Sequence, residues 1–362
     1  MGAGDEMGAA RSRADPLVLD RSREQQVYRI GTGELIGRTG VWSNANPDRG
    51  FHVGQRDRRF PYRRQGMSAS GERRLAMPGI MPDTVAHRSS WSETMPYVEA
   101  NGARLHYLDE GSGPHTVVFS HGLLFRGEMF RAQIDRLKPH YRCIAYDHRG
   151  QGDSAIAPDG YDMDTLAEDA AALIVALDAG PCHFVGLSMG GFVGMRLALR
   201  RPELLRSLSL FDTAADAEPA GNIPRYRTLN LIARWFGLNI VSGRIMPIMF
   251  GKTYLDNPAR AAEREMWRKR IVSADRTGIT RAVAGVIDRQ GLGETIAAIK
   301  TPTLILVGEE DVATPPERSE IMHRLIPGSK LVRIPNAGHS STIEAPEAVN
   351  AALEAFLAAH DA

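Results

Sequence analysis

From residue 97 onward the chain alternates short β-branched runs with longer amphipathic segments, and that pattern admits few solutions. Strands buried on both faces read as apolar runs, and parallel neighbours need helical crossovers between them. The sequence therefore predicts an α/β architecture, a mostly parallel sheet covered by helices. Strands are expected at Tyr97 to Ala100, Arg104 to Glu110, Thr116 to Ser120, Tyr141 to Tyr146, His183 to Leu187, Leu205 to Phe211, Thr303 to Gly308 and Lys330 to Pro335. Apolar residues at helical spacing mark Met163 to Leu177, Met189 to Leu199 and Pro346 to Leu357. Between residues 214 and 290 the alternation gives way to a helix-rich stretch carrying Trp235, Phe236, Met246, Met249, Phe250 and Trp267. This stretch is expected to be a cap inserted after the sixth strand, with a minority of those side chains, Trp235 among them, facing a pocket. The core is then expected to comprise residues 95–213 and 291–362.

Residues 1–94 read differently, with many arginines, no lysine and only brief apolar runs. Such a segment buries too little surface to offset its conformational entropy, so a disordered Arg-rich extension is expected. The pairs Arg58-Arg59, Arg63-Arg64 and Arg73-Arg74 could be taken for a nucleic-acid patch, but the composition favours an upstream extension, with Met95 as the natural beginning. Over the whole chain 44 Lys+Arg nearly cancel 43 Asp+Glu. No global field then recommends nucleic acid or an anionic membrane as partner, and a small or neutral molecule is expected instead. Cys143 and Cys182, the only cysteines, are too few for a disulfide framework or a thiolate metal site. The eleven histidines include no His-x-x-x-His pair, so no metal and no cofactor are expected. There is no run of about eighteen apolar residues and no basic-then-apolar leader pattern, so a soluble cytoplasmic protein is expected.

The stretch HFVGLSMGGFVGM, residues 183–195, places one serine between glycines where a strand passes into a helix. A tight turn of this kind lifts the Ser188 hydroxyl clear of the sheet, and glycines at 186 and 190 remove Cβ atoms that would clash. Ser188 also sits at a helix N-terminus, where free N–H groups favour developing negative charge. Gly-x-Ser-x-Gly alone is a weak signal; its strand-to-helix context strengthens it. Ser120-His121-Gly122-Leu123-Leu124 follows another apolar strand, so its backbone could supply a second N–H beside that of Met189 to hold an oxyanion. His121 is expected to shape this loop rather than to react. Asp311, just past the strand ending at Gly308, is the choice for the acid that orients a histidine. Glu309 and Glu310 are its neighbours, and Asp212 is its competitor. His339, in the loop Pro335-Asn-Ala-Gly-His339-Ser, lies downstream of both, and the order Ser, Asp, His is one known arrangement of a catalytic triad. Leu123, Leu124, Phe125 and Met189 would give the nucleophile apolar surroundings. Asp147-His-Arg-Gly-Gln-Gly-Asp-Ser154 lacks the ending of a P-loop and the spacing of a dinucleotide fingerprint, and is expected to brace the loops.

Together SHG at 120–122, DHRGQGDS at 147–154, GLSMGG at 186–191, GEED at 308–311 and NAGHS at 336–340 resemble the α/β-hydrolase superfamily. Within it, residues 95–362 are similar to capped serine hydrolases that include carboxylesterases, enol-lactonases and carbon–carbon bond hydrolases. The resemblance implies an eight-stranded sheet with one antiparallel strand and a helical cap. It also implies Ser188 as nucleophile, His339 as base, Asp311 as orienting acid, and the Leu123 and Met189 amides as oxyanion hole. A small ester or lactone would be the substrate. Dehalogenases and epoxide hydrolases of this fold use aspartate where Ser188 stands, which disfavours those reactions. Cofactor-free haloperoxidases usually carry an aromatic residue where Leu123 stands.

Overall fold

The computed structural model describes residues 96–361, and the expectations for residues 1–94 and Met95 lie outside them. Eight strands form one sheet: β1 (Tyr97–Ala100), β2 (Ala103–Glu110), β3 (Thr116–Ser120), β4 (Arg142–Tyr146), β5 (Cys182–Leu187), β6 (Leu205–Phe211), β7 (Thr303–Gly308) and β8 (Lys330–Ile334). Their order is β1-β2-β4-β3-β5-β6-β7-β8. β2 runs antiparallel to both β1 and β4, and the remaining pairs are parallel. The mostly parallel sheet with one antiparallel strand is thus present, with strand ends displaced from expectation by a residue at most.

Alternation within the strands explains the layers. Successive side chains of a strand point to opposite faces. On β3, Val118 packs on one side with α2 (Met163–Ala176) and α3 (Met189–Arg200), while Val117 and Phe119 pack on the other. There they meet α1 (Arg131–Leu137) and α11 (Pro346–Ala358) through Ile134, Leu137, Leu353 and Phe356. β7 repeats the division, with Ile305 on the first face and Leu304 and Leu306 on the second. Each such full burial contributes roughly 1.5–3 kcal/mol before entropy is counted. Asp162 caps α2 by accepting the Thr165 N–H at 2.9 Å.

Between β6 and β7 the chain leaves the sheet for five helices: α4 (Ile223–Phe236), α5 (Leu238–Met249), α6 (Lys252–Asp256), α7 (Ala261–Val272) and α8 (Arg276–Ile287). α9 (Pro316–Leu325) and the short α10 (Ser341–Glu344) complete the set. Among the described residues no helix is long and apolar enough to cross a membrane. Both cysteines are buried and unpaired.

Candidate active site

β5 delivers Ser188 into a backbone conformation that side chains rarely adopt, φ +52° and ψ −112°. Such a residue costs about 1–3 kcal/mol and persists only where its surroundings hold it. Here the Ser188 N–H donates to the Phe211 carbonyl at 2.8 Å, and the Ser188 carbonyl accepts from Gly191 N–H, Phe192 N–H and the Thr213 hydroxyl. Close approach demands the flanking glycines. A Cβ at Gly186 would lie 2.2 Å from the Gly190 carbonyl oxygen, and one at Gly190 would lie 2.0 Å from that of Ser120. Gly190→Ala is therefore expected to push α3 away from β3 and the loop that follows Ser120. Turnover should fall about 10²–10³-fold, as when an oxyanion donor is misplaced. Stability should fall by about 1–3 kcal/mol, as for overpacking. Steady-state kinetics beside chemical denaturation would show this; wild-type values in both would contradict the packing argument.

His339 arrives on the loop after β8 and Asp311 on the turn after β7. His339 Nε2 lies 2.8 Å from Ser188 Oγ, and its Nδ1 lies 2.9 and 3.1 Å from the two Asp311 oxygens. An ionised carboxylate only accepts, so Nδ1 carries the proton and Nε2 is left to accept from the serine hydroxyl. Asp311 is itself fixed, accepting the Ala313 and Thr314 N–H groups and the Thr314 hydroxyl. Burial alone would push the His339 imidazole down. The charge and hydrogen bond of Asp311, with Asp212 and Glu344 behind it, outweigh burial and raise it above the ordinary value of 6.5.

Two further carboxyls hold these loops. Asp212, fully buried at the end of β6, accepts from Gly308 N–H at 2.8 Å and from the Ser341 hydroxyl at 2.5 Å. It therefore ties the acid-bearing turn to the histidine loop instead of reaching the imidazole. Burial, then repulsion by Asp311, drives its carboxyl well above the usual range. Glu344 accepts from three backbone amides, the nearby Gly338 and Ser340 and the distant Gly251, and nothing in the local sequence signals the reach to Gly251. Of the neighbours of Asp311, Glu309 is exposed, whereas Glu310 accepts from the Thr253 N–H at 2.7 Å on α6.

The loop after β3 forms the other wall. His121 is fully buried, donating from Nδ1 to the Gly122 carbonyl at 2.7 Å and accepting the His148 N–H on Nε2 at 3.0 Å. Burial pulls its imidazole down, and a neutral ring serves both bonds. The Leu123 N–H finds no acceptor among the described residues. The Met189 N–H heads α3 and so has no partner inside the helix. Gln151 joins the two sides, accepting the Leu124 N–H at 3.1 Å while its Nε2 lies 3.8 Å from Met189 Sδ. Asp147 accepts from Gly127 N–H, Asp153 N–H and His106 Nδ1. His106, Asp147 and Asp153 thus cluster, but with the Asp147 oxygens already engaged by the protein.

A cavity of about 940 Å³, counting its open mouth, reaches Ser188 and His339. Leu123 and Leu124 line it. Phe125 does not: it lies behind the wall, 4% exposed, edge-on to Phe250 and Trp267. Trp235 must also be corrected, since it is 68% exposed and borders a separate surface cleft with Arg276 and Arg281. α4 turns Tyr226, Leu229, Asn230 and Ala233 toward the cavity. Nine positions after Tyr226, at 100° per residue, Trp235 falls on the opposite face. The insertion contributes mainly aliphatic side chains, such as Leu238, Ile245, Ile279 and Val283; of its expected aromatic and Met side chains, Met249 lines the cavity. Tyr226, Asn230 and Thr280 add polar groups, and Glu218 with Arg289 adds a charged pair that no local sequence pattern signals.

Comparison with known proteins gives the family. Residues 115–346 match the alpha/beta hydrolase fold family. The chain is 29% identical to the provisionally named carbamate hydrolase RutD of Pseudomonas syringae pv. syringae (strain B728a), covering 67% of this chain and 93% of that one. It is 32% identical to the provisionally named non-heme bromoperoxidase BpoC of Mycobacterium tuberculosis (strain CDC 1551 / Oshkosh), covering 70% and 97%. Among solved structures, a thermophilic esterase from Thermogutta terrifontis, malate bound, superposes with a TM-score of 0.69 at 31% identity, covering 74% and 100%.

Proposed function

The chain belongs to the alpha/beta hydrolase fold family, and we propose that within it the protein is a serine hydrolase of small hydrophobic carboxylic esters. The observation that carries this reading is the 2.8 Å approach of His339 Nε2 to Ser188 Oγ, with Asp311 on the other ring nitrogen. His339 takes the hydroxyl proton as Ser188 attacks the ester carbonyl. The Leu123 and Met189 amides hold the oxyanion that forms. His339 then gives its proton to the departing alcohol. Water, activated by the same imidazole, attacks the acyl-enzyme and releases the acid. Asp311 keeps the imidazole in the correct tautomer and stabilises the cation. The five-helix insertion acts as the cap, excluding water from the acyl group with its aliphatic side chains.

Two things support the ester as substrate. The lining beside Ser188 is mostly apolar, and the likeness to a solved esterase extends over that chain's whole length. A lactone would use the same residues. Similarity to a named bromoperoxidase favours a second reading, in which the acyl-enzyme is opened by hydrogen peroxide to a peracid that oxidises halide. A panel of aryl esters of graded chain length, lactones and vinylogous diketones separates the hydrolases. A peroxide-dependent bromination assay with a short carboxylic acid tests the second reading. Absence of turnover on every ester and lactone would refute the proposal.

A further inference from the structure

The same cavity contains one charged pair, Glu218 with Arg289. Arg289, just beyond α8, is 6% exposed and shares the wall with Ser188. Three of its bonds are internal. Nε donates to the Asp216 carbonyl at 3.1 Å, and Nη1 to Glu218 Oε2 at 2.9 Å and to the Val286 carbonyl at 2.8 Å. The plane of the guanidinium is further steadied by Phe192, whose ring centroid lies 4.2 Å from its central carbon. Nη2 has no acceptor among the described residues. A planar donor held this firmly loses little freedom on binding an oxygen, which makes it a preorganised contact. Its distance from the reaction is short in chain terms, since Phe192 stands one helical turn beyond Ser188 and donates its N–H to the Ser188 carbonyl.

Charge decides what kind of oxygen fits. Glu218, 10% exposed at its side chain, already balances Arg289, and its other oxygen accepts from Asn222 Nδ2 at 2.9 Å. Arg196, a buried cation on α3, is itself paired with Asp164 at 2.7 Å, and Arg318 on α9 adds a positive charge that acts on Arg289. A substrate carboxylate at Nη2 would bring a second buried anion beside Glu218, with a desolvation cost that one shared guanidinium does not offset. A neutral acceptor needs only the donor, and a bond to a charged donor is the stronger sort. Resting on the serine-hydrolase reading above, we propose that Arg289 Nη2 is a specificity-determining contact. It recognises substrates that carry a neutral carbonyl oxygen, keto or amide, on the chain remote from the scissile ester.

The test compares aryl esters of plain fatty acids with the same chains bearing a ketone at C4, C5 or C6, and with matched half-esters ending in a carboxylate. The quantity read is the ratio of kcat/KM for the keto ester to that for the plain ester, which does not depend on the folded fraction of a preparation. It is measured for the wild type, for Arg289→Met, and for Arg289→Met combined with Glu218→Gln, which leaves no stranded carboxylate. At the best ketone position the ratio is expected to fall about tenfold in both variants, the usual worth of a lost hydrogen bond to a substrate group. A ratio unchanged at every position would overturn the proposal, as would a larger fall for the carboxylate half-esters. Hydrolysis of the plain esters with a flat ratio defeats this proposal alone, whereas no hydrolysis of any ester defeats it together with the reading on which it rests.

Discussion

Ser188→Ala is expected to abolish ester hydrolysis, lowering kcat by about 10⁶-fold, while leaving the fold intact. The size of the effect follows from what the residue supplies. Without the hydroxyl no acyl-enzyme forms, and His339 and the two amides are left with no attacking atom to serve. The fold should survive because the turn is held by backbone bonds, from Ser188 N–H to Phe211 and from Gly191, Phe192 and Thr213 to the Ser188 carbonyl. Alanine retains every one of them and keeps the same φ. Circular dichroism and a melting curve should therefore match the wild type while aryl-ester turnover disappears. Undiminished turnover in a well-folded variant would remove Ser188 from the mechanism.

Asp311→Asn comes next, with an expected loss near 10⁴-fold in kcat. Asparagine can offer an amide N–H to His339 Nδ1, which turns the imidazole to the wrong tautomer and leaves Nε2 protonated and unable to accept from Ser188. The pH profile supplies a second readout. Hydrolysis requires neutral His339, so kcat/KM should fall as pH drops through its pKa, which in the wild type lies above 6.5. Removing the Asp311 charge leaves burial to push the imidazole down, so the acid limb should move to lower pH even as the plateau collapses. Asp212 is the control. Its carboxyl is held well above the usual range by burial and by Asp311, and it contacts Ser341 and Gly308 instead of the imidazole. If Asp311→Asn retained more than about a tenth of wild-type activity, against the 10⁴-fold expectation, the orienting role would pass to Asp212.

The parallel strands were legible because strands covered on both faces are mostly apolar, as in β3 and β7, while β6 alternates Leu with Ser207 and Ser209 and yet is buried along most of its length. The three side chains proposed to react, Ser188, Asp311 and His339, each stand within a few residues of a strand's C-terminal end, in that order along the chain. Helical periodicity was less informative in the insertion. α4 is amphipathic, yet its aromatic pair Trp235 and Phe236 lies on the exposed side, 68% and 72% accessible, so aromatic content pointed the wrong way. The bracing residues were hidden for another reason. Gln151 meets an amide 27 residues away and Glu344 meets one 93 residues away, pairings that have no local pattern. Arg289 illustrates the same point, since a lone arginine after a helix carries no sign that Glu218 and Phe192 will close around it.

Glu310 and Asp311 are adjacent in the chain, yet one grips the helical insertion at Thr253 and the other aims the imidazole. From the opposite direction, Glu344 takes the Gly251 amide while also gripping the amides on either side of His339. The proposed roof of the chamber is thereby bolted to the very bench on which the proposed proton transfer would take place. Near Gly251 and Thr253 it has no slack of its own, so any travel there must either shear those bolts or drag the bench along.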